Sequence, residues 1–466
     1  VSPAGTAADE VLAALGARGL PVAEVYTKRG RSRVVEEVAS GTTVSYHREE
    51  GWAVRAGDDR RSLFAAGTGA PDPAGPGGSW PEADGEALEL PSSRRSPVGH
   101  EGDWRDPADL DAPLMGEREA LGLLATLRQE LAAELPAARW LRARLADGAS
   151  EWEVASRVEG GSGVSAAARG RAAFLRVEAA LSGDRPVAAG FEVAAREARS
   201  FDARALARRI ADRLAVAAAG SSPERDRAAL LLAPPVGARL LAALLPLLVG
   251  PRGAELAGRL ADRDGRLGSP ALDVVDDGRL PGGVLAAPYD GEGVATGAVR
   301  LVAAGVYRQP LLTWRDAGAS WPGRPGGSAR EARGGERSAG RATGCLRRPG
   351  WRDLPQPSPS HLFLAPDPEV GVGRLLGEIA RGYYLIDVDG PPVVDWAEGR
   401  LSVPVVGFTI ERGRPAAPLA GATVEGGVGT LLRGISAVAR DLEFFPLAGG
   451  MVGAPTMLVT GLEIRG

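Results

Sequence analysis

Hydrophobic and polar positions along this chain follow two alternating rhythms. Near the start, Val11, Leu12 and Leu15 recur at helical spacing over 7–20, and Gly16 and Gly19 close that segment. A period of two then takes over in five short runs, 23–28, 31–37, 42–48, 51–55 and 61–65. Turn signals at Arg29-Gly30, Ser40-Gly41 and Gly57-Asp58 separate them, so the pattern predicts an antiparallel meander. Leu121, Leu124, Leu127, Leu131 and Leu135 restore helical spacing and predict a long helix or helical hairpin over 117–146. Period-two segments return at 152–158, 172–178 and 187–196. They precede a helix capped by Asp202 and reaching about Ala219, with Leu206, Ile210 and Leu214 as its buried stripe. Arg204, Arg208, Arg209 and Arg213 read as the solvated face of that helix.

The most apolar stretch is 235–250, PVGARLLAALLPLLVG. Between Leu240 and Val249 it holds no charge, hydroxyl or histidine, so a helix there must be buried on nearly every side. Pro234 and Pro235 suit a first turn, and Pro246 must kink or end the helix. A membrane span needs about 20 apolar residues, more than this interrupted run supplies. Beyond it the pattern is strand-rich: an apolar strand at 272–275, a turn at Asp276-Asp277-Gly278, a strand at 297–303, and a turn at Gly305 into 309–314. The same motif recurs at 402–411, Gly413 and 417–424. Two regions lack any period. Residues 67–113, rich in Gly, Pro, Asp and Ser, are expected to form a long, partly disordered insertion, and 317–359 a mobile surface loop.

These elements predict an α+β protein in four parts. Residues 1–66 hold a helix and the meander, 67–115 an insertion or linker, and 116–220 a helix and strand segment that completes the N-terminal domain. Residues 221–466 form a strand-rich, mostly antiparallel, barrel-like C-terminal domain.

Composition narrows the partners. A net charge of -4 gives no reason to expect nucleic acid or an anionic membrane, both of which want a clustered basic surface. Lys28 is the sole lysine and asparagine is absent, the signature of a GC-rich genome, so many arginines reflect codon usage more than binding. The single cysteine, Cys345, excludes an internal disulfide and a thiolate cluster. With no basic region followed by an apolar one in the first twenty residues, the expected location is the cytoplasm.

Common catalytic signatures fail on inspection. The run GEGVATG at 291–297 lacks dinucleotide-fingerprint spacing, and no phosphate-binding loop lysine exists beyond position 28. His47, His100 and His361 are not paired at helical spacing, which argues against a histidine zinc site. Cys345, near Arg341, Arg347 and Arg348, is either an activated thiol or an incidental one. The acidic cluster Asp273, Asp276, Asp277, Asp290 and Glu292 either binds a divalent cation or satisfies turn amides; the second role is the ordinary one for aspartate in turns.

The C-terminal half carries a resemblance in its motifs and their order: LDVVDDGRLPGG (272–283), YDGEGVATGAVRLVAAGVYRQPLLTW (289–314), TGCLRR (343–348), PSPSHLFLAP (357–366), GYYLIDVDG (382–390), FTIERGRP (408–415), LLRGISAVARDLEF (431–444) and GAPTMLVTGLEI (453–464). This arrangement resembles the TldD/PmbA, or modulator-of-gyrase, family. The resemblance implies a two-domain α+β protein that pairs into dimers, the familiar form being a heterodimeric zinc peptidase for unfolded or leader-bearing peptides. One subunit carries HExxxH and a C-terminal cysteine, and the TldE or PmbA type carries no metal site. Here the corresponding positions fall at about Ala243 and Leu244 and at Leu247 or Leu248, and the cysteine position near Asp441. The resemblance therefore implies a subunit with no catalytic residues, metal ligands or cofactor of its own, with zinc in an HExxxH-bearing partner subunit and a peptide as substrate. The family's SGN loop reads VEGG at 424–427, and His361 replaces a common asparagine. Asp276, Asp277, Asp290, Glu292, His361 and Glu425 are the candidates for a peptide groove or its turns. Two other readings stay open: a stand-alone hydrolase using the acidic cluster or Cys345, and a peptide-binding protein without a protease.

Overall fold

Val11, Leu12 and Leu15 of helix α1 (Pro3–Ala17) pack with Val25, Trp52, Val54 and Leu63 into a small buried cluster, as their helical spacing requires. The computed structural model describes residues 3–84, 87–91, 113–160, 163–183, 186–318 and 342–466. After α1 come β1 (Val22–Val38), β2 (Gly41–Gly57) and β3 (Ser62–Thr68). The five short strands expected here are thus three, because Arg29-Gly30 does not turn: Gly30 lies opposite Glu49 and the ladder continues through it. Cross-strand charge pairs such as Lys28 with Glu49, 2.6 Å apart, keep this polar stretch in register. Residues 69–84 are ordered rather than a disordered insertion, since Trp80 is buried edge-on against Trp52 and its indole donates to Pro73 O at 3.0 Å. His100 and the rest of 92–112 lie outside the described residues.

Helix α2 (Glu117–Glu134) stops well short of residue 146 because Pro136 cannot continue it. The chain then enters β4 (Ala138–Arg157), β5 (Ser165–Leu181), β6 (Val187–Ala195) and helix α3 (Ala203–Ala219). The six strands form one antiparallel sheet in the order β3-β2-β1-β4-β5-β6. Helices α2 and α3 cover one face, burying Leu124, Leu127, Leu131, Ile210 and Leu214 with Val35, Leu145 and Leu175. Asp202 caps α3 as predicted, accepting from Ala205 N at 3.0 Å. Arg204 and Arg208 reach Glu130 and Glu134 across the outer seam between the helices. Arg213 departs from the expected solvated face: it is only 4% exposed.

The C-terminal half begins with β7 (Ala229–Leu232), α4 (Pro234–Ala243), a single 3-10 turn at Leu245–Leu247 and α5 (Gly250–Leu260). Pro246 thus breaks the apolar helix as its missing amide requires. Val236, Ala238, Leu240 and Leu244 join the largest core cluster. There follow β8 (Val274–Asp277), β9 (Ala298–Ala303), β10 (Val306–Tyr307), α6 (Trp314–Gly318), β11 (Leu346–Arg347), β12 (Gln356–Pro357), β13 (His361–Leu364) and α7 (Val372–Gly377). The last run holds β14 (Arg381–Val388), β15 (Val393–Asp395), β16 (Arg400–Glu411), β17 (Arg414–Gly427), α8 (Val428–Gly434), β18 (Ile435–Val438), β19 (Glu443–Leu447), β20 (Gly450–Ala454), β21 (Met457–Val459) and β22 (Glu463–Arg465).

One sheet runs β10-β9-β8-β13-β20-β19; the other, curled like half a barrel, runs β18-β21-β7-β14-β16-β17-β22 with β15 on β16. The protein is therefore α+β with a strand-rich C-terminal half. Three local readings change. Asp276 and Asp277 end β8, and the turn follows them; residues 309–314 form no strand beyond one bridge between Leu311 and Val249. Residues 342–359 are folded, not a mobile loop, because Thr343, Cys345, Leu346 and Trp351 are buried anchors. Among the described residues no helix is long and apolar enough to cross a membrane.

Candidate functional site

The side of α4 that carries Arg239, Ala242 and Ala243 opens onto a groove of about 580 Å³. Its other walls are Ala188–Gly190 of β6, Arg213 of α3, the turn from Asp387 to Pro392 after β14, and Leu447 and Ala448. Among the described residues, strand β6 is the outer strand of its sheet and ladders only with β5, so its far edge presents backbone groups from a stretch of alanine and glycine.

Charge in the groove is concentrated on two arginines and two aspartates. Asp387 lies between the arginines, with Oδ1 3.3 Å from Arg239 Nη1 and Oδ2 3.5 Å from Arg213 Nε. Arg213 Nη2 donates to Asp389 Oδ1 at 2.7 Å and to Val388 O at 3.2 Å. Its Nε and Nη1 are buried and make no hydrogen bond among the described residues. An unsatisfied buried donor costs roughly 1–3 kcal/mol, more when charged, and the ion pairs with Asp387 and Asp389 offset part of that cost. Sequence reasoning missed Arg213, yet the signal was present: seven positions after Leu206 and three after Ile210, it falls on the buried stripe of α3.

The positions that the resemblance assigns to HExxxH hold no donor atoms in their side chains. Ala243 is half-buried at the groove, while Leu244, Leu247 and Leu248 are buried in the core. Asp441 is engaged by Thr456, whose N and Oγ1 donate to its two oxygens at 2.9 and 2.6 Å. Among the described residues no group of three His, Cys, Asp or Glu is arranged to hold a metal ion.

The six residues singled out from sequence fall in two places, neither of them this groove. Asp276, Asp277 and His361 meet where β8 pairs with β13. Asp277 Oδ1 accepts from Arg279 N at 2.8 Å and Asp276 Oδ1 from Ser360 N at 2.8 Å. His361 Nδ1 stands 3.0 Å from Asp277 O, and its Nε2 accepts from Leu285 N at 3.3 Å, so the neutral ring carries its proton on Nδ1. Burial lowers its pKa to about 4. Asp290 lies nearby with its oxygens taken by the amides of Glu292, Val294 and Leu346 at 2.9, 2.9 and 3.1 Å. Burial pushes Asp290 up to about 7 and Asp276 to about 6. Glu292 is buried against Arg55. Geometrically these aspartates hold turn and loop amides.

Glu425 lies apart on β17, gripped by Arg465 Nη2 and Nε at 2.7 and 3.0 Å; the arginine keeps it below the usual carboxylate range. Cys345 is 1% exposed and burial raises its thiol pKa, the opposite of activation. Arg347, its neighbour, turns instead to Leu285 O and Ser360 Oγ at 3.0 and 2.7 Å, and Arg348 to Glu24.

Comparison with known proteins gives a consistent result. Residues 225–466 match the family described as the PmbA/TldA metallopeptidase C-terminal domain. Among solved structures, TldE from Thermococcus kodakarensis superposes with a TM-score of 0.77 at 18% identity, covering 99% of this chain and 100% of that one. A protein from Thermotoga maritima, described as a modulator of a DNA gyrase, gives 0.76 at 16% identity, with 99% and 100% covered. A protein of the same description, from Bacteroides thetaiotaomicron, gives 0.74 at 15%, with 99% and 98% covered. At these identities the structures speak to fold alone. No curated protein matches the sequence.

Proposed function

This chain belongs to the PmbA/TldA metallopeptidase family, and on that premise we propose that it is the non-catalytic, TldE-like member of a two-chain zinc peptidase acting on unfolded or leader-bearing peptides. The observation that carries this reading is the composition of α4 and its kink. A histidine pair binds zinc through ring nitrogens, and a general base needs a carboxylate. Ala243, Leu244, Leu247 and Leu248 supply neither, and three of the four are packed in the core. The residues present do not fit a metal, so no step of the chemistry runs through this chain. Zinc and the hydrolytic water belong to an HExxxH-bearing partner.

What this chain contributes is a wall. The outer edge of β6 and the groove beside α4 suit an extended peptide, which gains affinity by adding its backbone to a sheet edge while pockets read alternate side chains. A peptide held straight keeps its scissile bond available to the partner, and the surrounding surface excludes bulk water. The lone buried cysteine accords with a reducing cytoplasm.

The test is to purify the chain alone and together with the product of an adjacent gene encoding HExxxH, then measure zinc content and peptidase activity of each. Activity and stoichiometric zinc are expected only in the co-purified pair. Turnover with bound zinc in the isolated chain overturns the proposal.

A further inference from the structure

The groove contains an arginine whose bonding is incomplete. Arg213 is 4% exposed, yet its Nε and Nη1 make no hydrogen bond among the described residues. Arg239, on the neighbouring helix α4, shares Asp387 with it at 3.3 Å, against 3.5 Å from Arg213. Both separations exceed the 2.7–2.9 Å typical of a strong charge-assisted bond, so Asp387 bridges the pair without saturating either guanidinium.

We propose that Arg213 and Arg239 form a carboxylate-binding subsite within the groove, which takes the carboxylate of an extended peptide lying along the edge of β6. The argument deepens the peptide-holding reading above and rests on it. A guanidinium presents donors in a planar fork that matches a carboxylate. Arg213 and Arg239 are formally balanced by Asp387 and Asp389, so the lining has no net positive charge to neutralise a dianion such as phosphate, and recognition rests on the guanidinium donors, which suit a monoanionic carboxylate. The edge of β6 at Ala188–Gly190 faces the same space, with side chains too small to obstruct a paired backbone. Backbone pairing and carboxylate capture can then act on one ligand.

Two peptide groups offer this chemistry, a terminal carboxylate and an acidic side chain, and three fluorescent hexapeptides separate them. One has neutral side chains and a free C-terminus, the second the same sequence as its amide, and the third the amide with one central glutamate. Fluorescence anisotropy against the full chain is expected to show the neutral amide about tenfold weaker than at least one acidic peptide. Whichever acidic peptide wins identifies the source. Arg213→Gln and Arg239→Gln are each expected to bring that ratio close to one, and Arg213→Lys to restore only part of it. Thermal melting checks folding, and Arg239→Gln, at a partly exposed position, keeps the test decisive where Arg213→Gln fails to fold. Equal affinity for all three peptides, or a ratio that survives both glutamine variants, overturns the subsite and leaves peptide holding intact. Failure to bind any of the three overturns both.

Discussion

Arg55 and Glu292 meet across the seam between the two halves of the chain, Nη2 to Oε1 at 2.6 Å, although 237 positions separate them. The same guanidinium grips Glu24 at 2.7 and 3.1 Å, and Arg348 reaches Glu24 from the other side while lying 4.5 Å above the Tyr26 ring. Two positive and two negative groups thus balance in a nearly dry space. Such a cluster contributes little net stability over an apolar one, but losing one member strands a buried charge. Glu292→Gln or Arg55→Met is expected to cost about 3–5 kcal/mol in urea unfolding. The double variant Arg55→Met/Glu292→Gln should cost less than the sum, because the neutral pair no longer leaves a charge alone. Additive losses in that cycle would show the two residues to be uncoupled.

Stability should carry two opposed pH slopes in the acid range. Burial, with Glu292 nearby, holds Asp290 near 7 against roughly 3.9 unfolded, so the native state keeps its proton longer. That contribution is complete below about pH 4 and is lost as pH rises through 7. His361 runs the other way: burial lowers it to about 4 against roughly 6.5 unfolded, so its contribution is complete above about pH 6.5 and is lost as pH falls towards 4. Unfolding free energies across this range should therefore differ between variants. Relative to the wild type, Asp290→Asn should remove a downward slope on the order of a few kcal/mol, and His361→Gln an upward one. Parallel profiles for all three proteins would contradict both assignments.

Cys345 should be silent to thiol reagents in the native state. Its sulfur is buried and its pKa raised, so both access and thiolate fraction are low. Ellman's reagent at pH 8 is expected to react fully in denaturant and only at the rate of opening without it. Rapid stoichiometric reaction of the folded chain would revive a nucleophilic role.

Gly237 on α4 should resist the usual helix-stabilising change. A methyl there would stand 2.6 Å from Met457 Cε and 2.8 Å from Ala454 Cβ. Gly237→Ala gains up to about 1 kcal/mol of helix propensity, but overpacking costs roughly 1–3 kcal/mol. A net loss in chemical unfolding is expected, and a gain would mean that the helix can shift away from β20 and β21.

What the sequence made legible was local. The Asp202 cap, the Pro246 break and the Leu206, Ile210 and Leu214 stripe depend on neighbours within a turn or two, and each was found where its chemistry required. Two further features carry local signals: Pro136 ends α2, and the spacing of Arg213 from Leu206 and Ile210 places it on the buried face. Gly30 was different. Whether a glycine turns or continues a strand depends on what lies opposite, and its partners Glu49 and Ser150 come from other strands. The groove was illegible for the same reason, since its walls are assembled from positions between 188 and 448. Trp351 illustrates the point within a glycine- and arginine-rich tract: it is buried against Gly51 of β2, a contact no local pattern announces.

The placement of β1 between β2 and β4 has a consequence for how the protein is made. On the ribosome, β1 and β2 can close as a hairpin at once, but the other edge of β1 stays bare until β4 emerges about a hundred residues later, some 5–20 s at ordinary elongation rates. Strand β7 waits longer still, since one of its neighbours, β21, lies almost at the end of the described chain. During both intervals a half-finished sheet offers an open template to any strand that meets it. Yield in a recombinant host should accordingly depend on translation speed and chaperone supply more than on the stability of the finished fold.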